Sequence, residues 1–228
     1  MIRKTIAFTL AETLIVMGII GVVSALTLPN LNSSTGEKEK VAKVKKLYQN
    51  LTDAYGRAVA IYGPFEQWFI NDTTEEAKAK RFGERMTEFM KVSKNCGTST
   101  GCFSNKAYYD VKGKKLWDNY YSDLKSSNHY MYILADGTSI AFSGVYKIRI
   151  DIDGPNKGKN QHGFDIFDFL VCDMENGNNL SINPTACLLY DSGTINKDYI
   201  TQWVIMNDNM DYLKCYDNLN WSNKRSCK

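Results

Sequence analysis

Polarity changes abruptly along the chain. Met1 to Ala7 carry Arg3 and Lys4 and no acid. Phe8 to Leu28 (FTLAETLIVMGIIGVVSALTL) is an apolar run whose one charge is Glu12. As a helix it would be about 32 Å long, close to the roughly 30 Å hydrocarbon core of a bilayer. Pro29 follows, then the polar stretch Asn30–Lys40 with Gly36 inside it. Val41, Val44, Tyr48, Leu51, Tyr55, Ala58 and Tyr62 then recur in alternating steps of three and four. That spacing predicts an amphipathic helix with a narrow apolar face, and Lys43, Lys45, Lys46 and Gln49 fill the other face. Gly63-Pro64 is its stop signal. Phe8 to Tyr62 should therefore form one long helix, kinked near Pro29 and about 80 Å long if fully helical. Its first half would span a membrane and its second half would pack on a globular domain.

The remainder reads as that domain. Asp72-Thr73-Thr74-Glu75 opens a second, short helix with a capping-box pattern, the alternative cap being Thr73 with Glu76. Phe82, Met86, Phe89 and Met90 give it one apolar face, and it should end near Lys94-Asn95. Tyr130–Leu134 and Thr138–Phe142 flank Asp136-Gly137, a favoured hairpin turn. Tyr146, Ile148, Ile150 and Ile152 alternate with Lys147, Arg149, Asp151 and Asp153, which predicts a half-buried strand. Phe164–Val171 is its continuation or partner. Ile200–Met206 and Asp211–Cys215 read as further short strands around an Asn207-Asp208-Asn209 turn. Helices first and strands after argue an α+β fold with an antiparallel sheet.

Composition narrows the chemistry. The 228 residues include 43% hydrophobic and 23% charged positions, which excludes wholesale disorder. A net charge of +3, from 28 basic and 25 acidic residues, offers no footprint for nucleic acid, and no nucleic-acid partner is expected. There is no G-x-S-x-G, H-E-x-x-H or Walker A pattern, and two histidines leave little room for His-based catalysis, so the chain is not read as an enzyme. The six cysteines, Cys96, Cys102, Cys172, Cys187, Cys215 and Cys227, lack C-x-x-C spacing, which disfavours a zinc ribbon. Each successive pair flanks a turn-rich stretch, so nearest-neighbour disulfides are expected. The competing reading is six buried thiols in a reducing compartment.

In Ile148–Phe169 (IRIDIDGPNKGKNQHGFDIFDF), Asp151, Asp153, Asn156 and Asp165 supply oxygen atoms around a Gly-Pro turn. Two readings stay open. Calcium favours clustered carboxylates and carbonyls of this kind, although the spacing is not that of an EF-hand. Alternatively, the Asp and Asn side chains cap their own backbone. Lys157 and Lys159 lie within the loop and oppose a cation, so no cofactor is assigned beyond this calcium candidate. His162 has no neighbouring ligand motif and reads as a turn residue.

The N-terminal run itself has three readings. A plain signal anchor would place the basic flank in the cytoplasm and the bulk of the chain outside, where disulfides form. A secretory signal cleaved at Val23-Ser24-Ala25 would release a soluble binding protein. The plain anchor, left uncleaved, would make the chain a membrane-anchored monomer, and the third reading is the one that accounts for Glu12. Neither an anchor nor a signal peptide needs Glu12, because a carboxylate inside an apolar helix is costly and usually has a partner.

Arg3-Lys4, a small residue at Ala7, then Phe8-Thr9-Leu10-Ala11-Glu12, a long apolar run and Pro29 together resemble the prepilin-type signal of type IV pilins and type II secretion pseudopilins. The resemblance covers about 25 residues by this pattern. It implies cleavage between Ala7 and Phe8 by a prepilin peptidase that also N-methylates Phe8. Ala7 stands where the family usually has Gly. The resemblance also implies a division into a leader (1–7), a transmembrane or filament-core helix (8–29), an amphipathic helical half (30–63) and an extracytoplasmic domain (64–228). The D-x-D-G-P-N loop is similar to one in the outer domains of pilin-like proteins, some of which hold calcium in a comparable region. The partners implied are copies of this chain or other pilin-like subunits, the peptidase, an inner-membrane assembly platform and the lipid bilayer. The place implied is the bacterial inner membrane, then a filament in the periplasm or on the cell surface. Glu12 would neutralise the Phe8 amine of a neighbouring subunit.

Overall fold

The computed structural model describes residues 9–116, 128–144, 146–172, 180–184 and 199–227, and excludes the side chains of residues 24–35. Helix α1 runs from Leu10 to Tyr62 as a single element that includes Pro29. The chain separates into two compact units, residues 1–39 and 40–228.

In the first unit, the described apolar side chains of α1 are all open to solvent. Leu10, Leu14, Met17, Ile20 and Val22 are among those more than half exposed. Among the described residues no helix is long and apolar enough to cross a membrane. The expectation of a membrane-spanning first half therefore lacks support from this measure. The run of described apolar side chains ends at Val23 and includes Glu12.

The second unit is α+β. Its sheet has six antiparallel strands in sequential order: β1 (Val92–Gly97), β2 (His129–Leu134), β3 (Ser139–Ser143), β4 (Lys147–Asp151), β5 (Ile166–Cys172) and β6 (Ser181–Asn183). The β2–β3 hairpin follows from its turn. Gly137 takes a left-handed φ of 86°, and Asp136 Oδ1 accepts from the Thr138 amide at 3.0 Å. Register then pairs Tyr132 with Ile140 and Ile133 with Ser139.

One face of the sheet packs on α1 from Val41 onward. Val44, Leu47, Leu51, Ala54 and Ala58 are fully or almost fully buried against Ile148, Ile150, Phe167 and Phe169 in one core. Tyr48 stacks on Phe169 at 5.9 Å between ring centroids. Helix α2 (Glu75–Thr87) covers the same core through Phe82 and Met86. Its cap is Thr74, whose side chain accepts from the Ala77 amide at 3.1 Å, rather than Asp72 or Thr73. Asp72 is instead drawn off to Arg81, at 3.1 and 3.2 Å. The helix also stops earlier than expected, because Val92–Gly97 pairs with β2 as an edge strand.

Two further expectations are corrected. Strand β4 is buried on both faces, with Arg149 5% and Asp151 0% exposed. A second small core explains this: Cys102, Phe103 and Tyr108 cover Met131, Ala141 and Ile166 on the other side of the sheet. Ile200–Met206 and Asp211–Cys215 are not strands but α3 (Ile200–Asn207) and α4 (Tyr212–Cys215). Tertiary burial overrides the strand preference of their β-branched and aromatic residues. Trp203 is fully buried, lies 5.0 Å from Trp221 between ring centroids, and donates from Nε1 to Asn209 Oδ1 at 3.0 Å. Asp208, at φ 55°, ends α3 in the left-handed conformation.

Candidate functional site

Ala7 and Phe8, the expected processing site, lie outside the described residues. Glu12 sits in the first turn of α1 and closes a reciprocal cap with Thr9. The Thr9 amide and Thr9 Oγ1 each donate to Glu12 Oε2 at 2.9 Å, and the Glu12 amide donates to Thr9 Oγ1 at 3.3 Å. This is a capping box, and its signature is the T-x-x-E of Thr9-Leu10-Ala11-Glu12. This local T-x-x-E signal was legible in the sequence beside the partner-subunit role expected of Glu12. A negative charge at a helix N-terminus is also favoured by the helix dipole. Pro29 lies within α1, and its side chain is outside the description.

Asp151, Asp153 and Asp165 come together in the loop between β4 and β5. Asp151 Oδ1 accepts from the Asp153 and Gly154 amides, each at 3.0 Å. Asp165 accepts from the amides of Lys159, Asn160 and Gln161, the last two at 2.8 and 2.5 Å. Asp153 pairs with the Lys40 ammonium, and Lys43 donates to the Ile152 carbonyl. A cation from α1 thus sits against the loop, and it also lies 4.5 Å from the Phe164 ring centroid. Gly158, at φ 80°, passes so close to Asp165 that a side chain there would collide with its carboxylate and crowd Asp153. Asn156 is exposed at the loop's outer turn. Among the described residues no group of three or more His, Cys, Asp and Glu side chains is placed to hold a metal ion. Asp151 Oδ1 and both Asp165 oxygens are engaged by the loop's own backbone, as in a capped turn, while Asp153 Oδ2 goes to Lys40 and the buried Asp151 Oδ2 has no hydrogen-bond partner.

Burial shapes the ionisation here. Asp151 is pushed up to about 8, first by loss of water and then by the neighbouring Asp165 charge. Burial also raises Asp165, against the pull of its three backbone donors. Asp168 goes the other way. Burial would raise it, but Arg149 and Lys147 outweigh that and hold it well below the usual carboxylate range. Arg149 grips Asp168 with two parallel bonds of 2.8 and 3.0 Å, and Lys147 lies 3.0 Å away. His162 Nε2 is 4.0 Å from the same carboxylate and would add to this ionic cluster when protonated. The cluster could not be read from the sequence, because it depends on the β4–β5 register that places Arg149 opposite Asp168.

Two expected disulfides are present: Cys96–Cys102 and Cys215–Cys227, with Cα–Cα distances of 6.0 and 5.9 Å. Cys172 is also disulfide-bonded. Its expected partner, Cys187, lies outside the described residues.

These features define an α+β, disulfide-bonded domain on a long helix whose N-terminal apolar surface is uncovered. No family model matches the chain, and no similar curated protein or solved structure is found.

Proposed function

We propose that this chain is a structural, non-catalytic subunit of a type II secretion pseudopilus or a type IV pilus-like filament. A prepilin peptidase would cut before Phe8, and the helix Phe8–Leu28 would hold the subunit in the bacterial inner membrane until assembly. The observation that carries this reading is the exposed apolar surface of α1 from Leu10 to Val23, interrupted by the single acid Glu12. So much uncovered apolar side chain requires lipid or other helices to shield it. Bundling with copies of itself would replace lipid contacts, and a heterologous, repeating interface would generate a filament.

Glu12 then has two successive partners. In the isolated subunit Thr9 satisfies it. In the filament the freed Phe8 ammonium of a neighbour would draw on the same carboxylate, and a low local dielectric strengthens that attraction. An unpaired charge there would be costly, so a misplaced subunit is penalised.

Glu12→Gln separates the two roles. Glutamine can still accept from the Thr9 amide but carries no charge. The variant should be inserted and cleaved normally, while filament yield falls by about a hundredfold or more, because removing one partner of a desolvated ion pair costs about 3–5 kcal/mol. Filament yield equal to wild type would remove the charge-pair mechanism.

A further inference from the structure

The loop 106–113 and the loop 158–161 enclose a cleft of about 460 Å³. That volume falls within the roughly 300–1,000 Å³ of small-molecule sites. Its polar side chains are Lys106, Tyr109, Lys159, Asn160 and Gln161. The two loops are tied to each other. The Tyr109 amide donates to the Asn160 carbonyl and the His162 amide to the Tyr109 carbonyl, each at 2.9 Å. Asn160 is only 4% exposed and takes a left-handed φ of 53°, a conformation that the surrounding wall has to hold in place.

Asn160 Nδ2 donates to Ser104 Oγ at 3.1 Å and to the Ala107 carbonyl at 3.2 Å. A carbonyl can only accept, so the side-chain amide has one orientation and Oδ1 is the acceptor left over. That buried oxygen has no hydrogen-bond partner among the described residues. A buried acceptor of this kind calls for a donor, which water or a ligand hydroxyl can supply. Gln161 is oriented in the same way: Nε2 donates to the Val111 carbonyl at 3.2 Å, which makes Oε1 a second acceptor. Lys106 and Lys159 are exposed, and among the described residues no acidic side chain lines the cleft. The acids closest in sequence are engaged elsewhere. Asp110 Oδ1 accepts from the Lys112 and Lys114 amides at 2.9 and 2.8 Å. Asp165 is fully buried, with both oxygens taken by the amides of residues 159–161. Lys159 rests 4.4 Å from the Phe164 ring centroid, a contact that orients the ammonium without neutralising it.

Two cations and two acceptors therefore meet at one preformed cleft, and the geometry points to a binding site for a small carboxylic acid that carries hydroxyl groups, the chemistry of a sugar acid. The carboxylate takes its place by Lys106 and Lys159. The hydroxyls donate to Asn160 Oδ1 and Gln161 Oε1. A neutral sugar leaves both ammoniums without a partner, and a simple acid leaves the buried Asn160 oxygen unsatisfied, so the two halves of the site select one class of ligand between them. This goes beyond the filament reading and does not depend on it.

The test is a titration of the full chain in detergent micelles with galacturonate, followed by saturation-transfer NMR at low ionic strength, where exposed charges are least screened. Binding should saturate. Lys106→Gln combined with Lys159→Gln should weaken it about tenfold, the scale of two exposed charge contacts. Both lysines are exposed, so the double variant should fold as the parent does. Lys157→Gln, on the same loop but outside the cleft, should bind like the parent. Galactose, which lacks the acid, and acetate, which lacks the hydroxyls, should each bind about tenfold more weakly than galacturonate. A parent chain that shows no saturable binding, or a double variant that binds galacturonate as the parent does, would overturn the site. Acetate or galactose binding as tightly as galacturonate would overturn the ligand class.

Discussion

At the residue scale, the chain handles its difficult carboxylates in three ways. Glu12 is satisfied by one neighbour in sequence, Thr9. Asp168 is charged and clamped by Arg149. Asp151 is buried beside another acid, and its ionisation is pushed up to about 8. The last case has a consequence for stability. A carboxyl whose folded value is raised favours the folded state most at pH below about 3.8, its ordinary value. That contribution is lost as pH rises towards 8. Thermal midpoints measured in chelator-containing buffer should therefore fall between pH 5 and about 8 by more in the parent than in Asp151→Asn. Asparagine retains an oxygen for the Asp153 and Gly154 amides and brings no charge. An equal slope in both proteins would show that Asp151 is not the group responsible.

At the element scale, packing decides more than propensity. Gly83 lies inside α2, where alanine would ordinarily add up to about 1 kcal/mol of helix stability. Here an added Cβ would stand 2.9 Å from Tyr132 Cε2 and 3.2 Å from Phe142 Cδ2. Overpacking a closed interface costs about 1–3 kcal/mol. Gly83→Ala should accordingly lower stability by about 1 kcal/mol, the difference between these effects. Urea unfolding would read this as a lower midpoint at unchanged slope; a stabilised variant would mean that α2 stands further from the sheet. The same competition explains what was legible in the sequence. The helical half from Val41 was readable because its three-four spacing is a direct image of its buried face, and the β2–β3 hairpin because Asp136-Gly137 permits little else. Helix α3 was misread because Ile200–Val204 is buried all round and therefore has no periodicity. Strand β1 was missed because most of its residues are exposed, so hydrophobic patterning gives it no signal.

At the scale of the whole molecule, the two units divide the physical work. Residues 40–228 form a self-sufficient domain with its own cores and disulfides. In the first unit, the described apolar side chains between Leu10 and Val23 are exposed. The candidate site was only partly legible for the same reason. Glu12 stood out because a lone acid in an apolar run is conspicuous. Lys40 and Lys43, which close on the Asp153 loop and its Phe164 ring, come from a distant part of the sequence and meet the loop only through the fold.

The account turns on where the mature chain begins, and mass spectrometry of the N-terminal peptide from purified membranes and medium measures that directly. The filament account predicts a chain starting at N-methylated Phe8, with the apolar helix retained. A chain starting at Leu26, or an intact Met1 in the membrane fraction, would contradict it.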